Sequence, residues 1–296
     1  MTARVRLNAN NLMATLAPEV GGSLLRLDWN DGDKTWPVLR PGPDRIGSPL
    51  EAACFPLAPF SNRIRGGSFM FRGRKISLGP NMQGDPSPLH GQGWLSPWQV
   101  EKASRNSAEL SFHHRPAEWP WEYRAHQILT LDEHALAITI GCRNLSDEPM
   151  PCGLGMHPYF RCSRTTMLRT QVSNVWTVDE NVLPVAKIEA TGRYDLSSGP
   201  ICGRALDNGY AGWGGKALIE DAEAPFSICL SSPDTLFFQL YSPAQGGLFV
   251  AEPVSHANDA LSHDEGDWPA LGMKVLAPGE TIALAMRLDV IRRLRT

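Results

Sequence analysis

The chain has 296 residues, of which 42% are hydrophobic and 20% are charged, and its formal net charge is −3. This composition is typical of a soluble globular protein with a large core. The lack of a broad basic charge predicts that nucleic acid is not a partner.

No apolar run is long enough to cross a bilayer, and the first residues, from Met1 to Arg6, lack the apolar segment of a signal peptide. We therefore expect no membrane association and a cytoplasmic location.

Short runs of alternating hydrophobic and polar residues recur along the chain, separated by many of its 27 glycines and 24 prolines. A period of two is typical of half-buried β-strands. Residues 125–131 and 135–140 flank a polar turn and predict a hairpin, and further strands are predicted at 226–230 and 281–288. No long segment has helical periodicity with matching caps, and no linker or repeat is evident. The sequence predicts an all-β antiparallel β-sandwich forming a single domain, residues 1–296.

The first candidate site residues are Asn62 and Arg63, which follow an apolar, proline-containing run. An arginine fork could hold sugar hydroxyls or a substrate anion, and the alternative is an ordinary surface arginine. Further cations follow closely and suggest an anion site: Arg65, Arg72, Arg74 and Lys75. Strand geometry, however, would send alternate side chains to opposite faces.

Residues 80–97 form a polar loop rich in glycine and proline, with His90 between Leu89 and Gly91. Loops of this length in a compact domain are often functional, so His90 is a candidate for acid–base chemistry. The alternative is a solvated loop histidine.

A second histidine, His157, is followed by Pro158, Tyr159 and Phe160. The proline excludes a helix at this point, and the two aromatic rings could present a surface for the apolar face of a sugar. The alternative is a core histidine bonded to backbone.

Two carboxylates complete the set of candidates. Asp207 could accept two hydroxyl hydrogen bonds, or it could be an Asx-turn residue beside Asn208 and Gly209. Glu252 follows an apolar run and precedes Pro253, which predicts a strand that ends at a sheet rim. There Glu252 could act as a base or form an ordinary salt bridge. The polar residues 255–259 are expected near the same rim.

Other chemistries are disfavoured. The six cysteines are scattered without a Cys-x-x-Cys pair, which argues against zinc and favours small buried apolar residues. No glycine-rich phosphate loop and no nucleophile elbow are present. Two imidazoles and a carboxylate can move protons at neutral pH, so we predict neither a metal nor a cofactor.

Five pieces together resemble the aldose 1-epimerase (mutarotase) family of the galactose mutarotase-like superfamily. The five pieces are Asn62-Arg63-Ile64, Leu89-His90-Gly91, His157-Pro158-Tyr159-Phe160, Leu206-Asp207 and Ala251-Glu252-Pro253. They occur in the family's order, and flanking strands extend the likeness from about residue 11 to 289. The resemblance implies a large twisted antiparallel β-sandwich with an open sugar-binding face, and interconversion of the α and β anomers of a free aldose.

The resemblance also implies a role for each residue. Glu252 is expected to be the general base, ionised at neutral pH, and His157 the general acid, a histidinium with a pKa near neutrality. His90 would assist at the ring oxygen. Arg63 and Asp207 would hold sugar hydroxyls, with Asn62 and Tyr159 beside the substrate.

The sequence departs from the galactose-specific pattern, since Pro158 replaces a serine and Pro253-Val254 follows the glutamate. The identity of the sugar is therefore not predicted. A 1-epimerase for hexose 6-phosphates or sulfonated sugars is a second hypothesis. A third is a carbohydrate-binding sandwich without catalysis. The expected partner is a small monosaccharide, and the protein is expected to be a monomer or homodimer.

Overall fold

A computed structural model of the protein describes residues 4–293. The one-domain organisation stays a prediction. Residues 1–3 and 294–296, at the ends of the predicted domain, lie outside the described residues, and so does this part of the segment examined for a signal peptide.

Antiparallel β-strands account for the regular structure almost entirely. In chain order the strands of the described part are β1 (Val5–Ala9), β2 (Leu12–Ala17), β3 (Ser23–Asn30), β4 (Thr35–Pro37), β5 (Pro56–Leu57), β6 (Ser68–Phe71), β7 (Arg74–Ser77), β8 (Gln99–Ala103), β9 (Ser107–His114), β10 (Tyr123–Leu131), β11 (Ala135–Asn144), β12 (Met150–Cys152), β13 (Gly155–Met156), β14 (Tyr159–Arg161), β15 (Met167–Thr170), β16 (Asn174–Val178), β17 (Pro184–Glu189), β18 (Leu206–Ala211), β19 (Lys216–Glu220), β20 (Phe226–Ser231), β21 (Phe237–Ser242), β22 (Leu248–Val254), β23 (Lys274–Leu276) and β24 (Thr281–Arg292). Short 3₁₀ turns lie at Pro49–Glu51, Arg65–Gly67, Gly93–Leu95, Gly192–Tyr194 and Ala260–Ser262.

Two eight-stranded sheets form the sandwich. The back sheet has the order β15-β19-β20-β24-β11-β10-β9-β8, and the cleft sheet has the order β17-β16-β18-β21-β22-β13-β5, with β14 also paired to β22. A four-stranded sheet, β1 to β4, and the two-stranded sheets β6-β7 and β12-β23 complete the fold. The predicted all-β antiparallel β-sandwich is confirmed.

The predicted hairpin is also confirmed, since β10 and β11 pair from Leu131–Leu136 outward. Buried and exposed positions alternate along β10, as the sequence period requires. Leu129 of this strand joins Leu240 and Phe249 of the cleft sheet in one apolar core. Facing side chains of two sheets thus fill the interior, which is how a sandwich is stabilised.

The cleft sheet is buried on both faces at its centre. Phe249 and Ala251 of β22 point to the main core, whereas Val250 and Val254 join a second apolar cluster on the other face. Because side chains alternate along a strand, Glu252 shares the face of the second cluster.

Several local predictions are wrong. The strand does not end at Glu252, because β22 runs through Pro253 to Val254 and pairs with β21 there. Asp207 is no Asx-turn residue but lies within β18. The cysteines are only partly as expected, since Cys162, Cys202 and Cys229 are half-buried while the other three are buried.

Residues 80–97 contain no strand and only the short turn Gly93–Leu95, in agreement with the predicted loop. No helix within residues 4–293 is long and apolar enough to cross a membrane.

Candidate active site

Glu252 occupies the middle of the cleft sheet. The strand register places it opposite Gln239 of β21, and Gln239 is in turn opposite Gly209 of β18. The side chain of Glu252 is only 4% exposed. Its Oε2 atom is buried and has no hydrogen-bond partner among the described residues. An acceptor in this state is available to a ligand hydroxyl.

His157 lies directly beside Glu252. The His157 Nε2 and Glu252 Oε1 atoms are 3.6 Å apart, and the imidazole is 11% exposed. This distance is too long for a direct hydrogen bond but short enough for one small molecule to touch both groups. The Nδ1 atom of His157 is buried, and no described group bonds to it.

Two hydrogen bonds join His90 to the backbone of Asn62. The His90 N–H donates to the Asn62 carbonyl at 3.0 Å, and the Asn62 N–H donates to His90 Nδ1 at 2.9 Å. Because Nδ1 accepts a hydrogen bond, the neutral His90 ring has its proton on Nε2. Both residues have positive φ angles, 60° and 61°, which are uncommon outside glycine and typical of functional sites.

The His90 ring lies close to the acid–base pair. Its centroid is 5.4 Å from that of His157, with the two planes nearly perpendicular at 85°. Phe55 contacts both rings, parallel to His157 at 4.4 Å and edge-on to His90 at 6.2 Å.

Arg63 is a buried, paired arginine rather than a surface one. Its side chain is 12% exposed, and Nε donates to Asp85 Oδ2 at 2.8 Å. Its Nη1 donates to Asn62 Oδ1 at 3.1 Å. The Asp85 carboxylate therefore fixes the guanidinium and compensates its charge.

Asp207 is half-buried on the cleft sheet, and Gln239 Nε2 donates to its Oδ1 atom at 3.0 Å. Burial raises the pKa of Asp207, while Arg63 and Gln239 act in the opposite direction. The remaining acceptor capacity of the carboxylate suits a donor such as a sugar hydroxyl.

Burial dominates the electrostatics of the acid–base pair. It raises the pKa of Glu252 well above the usual 4.5, and the nearby Asp207 carboxylate adds to the rise. Burial lowers the pKa of His157 to about 3, the residue's own backbone acts in the opposite direction, and the charge of Arg40 adds a smaller lowering. The low pKa of His157 contradicts the prediction of a histidinium with a near-neutral pKa, and the opposite shifts of the two groups favour a proton on Glu252 over one on His157.

The two aromatic residues after His157 have different positions. Tyr159 packs against His157 at 4.8 Å, and the guanidinium of Arg40 lies 3.8 Å from the centre of its ring. Phe160 points to the other side of β14 and stacks on Phe249 in the main core. The prediction of a two-ring sugar platform is thus wrong for Phe160, because successive strand residues face opposite sides.

The segment after β22 forms hydrogen bonds to the backbone of the Ser61–Arg63 segment. His256 is buried, accepts a hydrogen bond from the Ser61 N–H at 3.0 Å, and pairs with the Ala257 carbonyl at 2.8 Å. A Cβ atom at Gly153 would lie 2.0 Å from its ring, so glycine is required there. Asn258 Oδ1 accepts from the Arg63 N–H at 3.0 Å, which fixes the backbone of the arginine.

The cations after Arg63 do not converge on the site. Arg65 pairs with Asp259 at 3.0 Å, and Arg74 pairs with Glu148 at 3.5 Å on the surface. An anion site built from this group is absent from the described residues.

Sequence reasoning missed three contributors, Phe55, Asp85 and Gln239, whereas it placed His256 in a polar segment near the same rim. Asp85 had a usable signal, since it is a carboxylate in the same loop as His90. Gln239 had none, because its role depends on the register of three strands.

Two negative observations limit other assignments. Within residues 4–293 no three His, Cys, Asp or Glu side chains are grouped to hold a metal ion. A cavity of about 660 Å³, lined by Trp36, Arg161 and Phe226 among others, contains none of the candidate residues. Glu252 and His157 lie elsewhere, so the candidate site rests on the chemistry of its residues and not on cavity size.

Comparison with known proteins identifies relatives that match nearly the whole chain. The chain is 35% identical over 279 residues to the uncharacterised protein YphB of Escherichia coli K12, covering 91% of this chain and 93% of that protein. The crystal structure of a candidate aldose 1-epimerase from E. coli K12 superposes with a TM-score of 0.89 at 32% identity, covering 98% and 99% of the two chains. A galactose mutarotase-like protein from Clostridium acetobutylicum shares the fold, with a TM-score of 0.83 at 20% identity and coverage of 97% and 94%.

The sequence model described as Aldose 1-epimerase matches residues 3–289, which is nearly the whole chain. With this match and the relative at 35% identity, the chain belongs to the aldose 1-epimerase family.

Proposed function

We propose that the protein interconverts the α and β anomers of a free, uncharged aldose, with Glu252 and His157 as the proton-transfer pair. The observation that supports this most directly is their juxtaposition, with Nε2 and Oε1 3.6 Å apart in one buried cleft. The Oε2 atom of Glu252 is also buried without a partner among the described residues. A hydroxyl of a bound hemiacetal would supply that partner.

Ring opening needs two proton transfers. The Glu252 carboxylate removes the proton from the hydroxyl on C1, and protonated His157 delivers a proton to the ring oxygen as the C1–O5 bond breaks. The acyclic aldehyde rotates about C1–C2, and the ring closes on the other face with both transfers reversed. Simultaneous positioning of acid and base is what the protein contributes.

The proton count of the pair fits this cycle. Opening begins with a charged pair, carboxylate and imidazolium, and leaves a neutral pair, carboxylic acid and imidazole. The neutral pair is the form that burial favours. It is also the form that closes the ring, so both states of the one-proton pair belong to the cycle. Sugar hydroxyls donating to Glu252 stabilise its charged form.

The surrounding residues are assigned to substrate binding and assistance. His90 directs its Nε2–H to the ring oxygen, since Nδ1 is occupied by the Asn62 N–H. Arg63 and Asn62 donate to hydroxyls from one side, Asp207 accepts from the other, and Tyr159 borders the pair.

An uncharged substrate is favoured over a phosphorylated or sulfonated one. The Arg63 guanidinium is already compensated by Asp85. The cleft adds two further carboxyl groups, Glu252 and Asp207, which would repel an anion. We expect glucose to be converted at least about tenfold faster than glucose 6-phosphate at equal concentration.

The test is anomer equilibration of freshly dissolved α-glucose and α-galactose, followed by polarimetry or proton NMR against the spontaneous rate. Wild type should accelerate it, and Glu252→Gln or His157→Asn should lower the rate by about 10²–10⁴-fold, the usual scale for a positioned proton-transfer group. A sugar-binding protein without catalysis would bind these aldoses and leave the rate unchanged. A fully active Glu252→Gln protein would refute the base assignment.

A further inference from the structure

The imidazole of His157 lies inside a column of stacked groups. Its ring is parallel to Phe55 at 4.4 Å and 14°, and Phe55 stacks on Trp94 at 5.5 Å. On the other side Tyr159 lies 4.8 Å away, and the guanidinium of Arg40 covers the Tyr159 ring at 3.8 Å. Arg40 therefore closes one end of the column.

The column replaces the hydrogen bond that usually orients a catalytic histidine. In acid–base sites the second ring nitrogen commonly bonds to a carboxylate or carbonyl, which fixes the plane of the ring. The Nδ1 atom of His157 has no such partner among the residues that the structure describes. Packing of Phe55 and Tyr159 against its two faces is what determines the plane.

Arg40 is itself fixed in place. Its Nη2 donates to the Leu50 carbonyl at 2.7 Å and to the Ala52 carbonyl at 2.5 Å. Its backbone N–H donates to the Tyr159 carbonyl at 2.8 Å, and the Tyr159 N–H donates to the Ala53 carbonyl at 2.8 Å. A guanidinium held this way over an aromatic face is a rigid contact rather than a mobile surface charge.

The charge of Arg40 also acts on the ring. Five ionisable groups lie around His157. They are Glu252 on β22, His90 in the loop, Tyr159 on β14, Cys54 just before β5, and Arg40 just after β4. Burial is the main cause of the low pKa of His157, and the Arg40 charge lowers it further. A lower pKa makes the imidazolium a stronger acid towards the ring oxygen.

We propose that Arg40 is a positioning residue for the epimerase reaction, which holds the imidazole plane of His157 through the ring of Tyr159 and places a fixed positive charge beside it. The inference rests on the proposed function for its kinetic consequence. Its structural part, the control of the His157 ring, is independent of the substrate.

The experiment compares Arg40→Met, which removes the charge and keeps an apolar chain, with Arg40→Lys, which keeps a charge above the ring. Arg161→Met on the same strand as Tyr159 is the matched control, because Arg161 is exposed. Activity is followed as kcat and KM for anomer equilibration across pH. The His157 ring is followed separately by NMR titration of its carbon-bound protons.

We expect Arg40→Met to lower kcat by about 10- to 100-fold, as for other groups that orient a reacting ligand, with KM changed by less than about twofold. The acid limb of its pH profile and the NMR pKa of His157 should both move upward. Arg40→Lys should restore the pH profile and part of kcat. Arg161→Met should match wild type in every measurement.

The outcomes separate the two proposals. A wild-type protein without epimerase activity would refute the proposed function, while the NMR titration would still test the effect of Arg40. A folded Arg40→Met protein with wild-type kcat and an unchanged His157 titration would refute the role of Arg40. If Arg40→Met does not fold, Arg40→Gln provides the test, since its amide can still donate to the Ala52 carbonyl.

Discussion

Glu252→Gln should stabilise the protein at alkaline pH while it removes activity. Glu252 is buried in the cleft sheet with its Oε2 atom unpartnered among the described residues. A glutamine would leave its own amide atom equally unpartnered here, so only the ionisation of the carboxyl group distinguishes the two proteins. Replacing the acid by a neutral amide of the same shape removes the cost of keeping it protonated or of burying its charge.

The sign follows from proton linkage. Burial raises the pKa of folded Glu252 above the usual 4.5. Below pH 4.5 both the folded and the unfolded glutamate are protonated, so the penalty is absent. As pH rises towards the folded pKa, the unfolded side chain ionises freely while the buried one keeps its proton, and wild type loses stability. The advantage of glutamine should therefore grow from pH 4 to pH 8.

The expected size is measurable by calorimetry. Unfolding of 296 residues has an entropy of about 620 cal/mol/K, so each unit of difference between the folded and unfolded pKa of Glu252, about 1.4 kcal/mol, raises the Tm of the glutamine variant relative to wild type by about 2 °C. Glu133→Gln, in the exposed turn between β10 and β11, is the control and should shift Tm by less than about 1 °C at either pH. An equal Tm difference at pH 4 and pH 8, or a less stable glutamine variant at pH 8, would refute the reasoning.

Three further predictions concern protonation and binding. The acid limb of the pH profile of kcat/KM should lie well below pH 6.5, because burial lowers the pKa of His157 to about 3. An acid limb near pH 6.5 in polarimetric rate measurements would contradict this. Burial lowers the pKa of His256 from 6.5 to about 4. The unfolded state therefore binds a proton at this residue first, and the contribution of His256 to the unfolding free energy should fall by about 3 kcal/mol between pH 6.5 and 4. Urea titrations should show a flatter dependence for His256→Gln, and an identical slope would count against it. Asp85→Asn should raise KM about tenfold with a smaller effect on kcat, because Arg63 loses a charge-assisted hydrogen bond; a pure kcat effect in initial-rate measurements would be inconsistent with that.

Local patterns were sufficient for the class of fold and for the choice of chemistry. The β10–β11 hairpin follows from alternation on both sides of a polar turn, which depends only on neighbouring residues. The loop around His90 follows from its glycine and proline content. Asn62, Arg63, His90, His157, Asp207 and Glu252 were chosen from their residue types and immediate neighbours, and the structure brings the acid–base pair to within 3.6 Å.

Tertiary structure alone decided how these residues are arranged and in which direction burial shifts their pKa values. The position of Glu252 opposite Gln239 depends on the pairing of β21 with β22, and the Arg63–Asp85 pair depends on the fold of a long loop. The low pKa of His157 results from burial between Phe55 and Tyr159. Burial and strand register are set by residues distant in the chain, so no local pattern contains them.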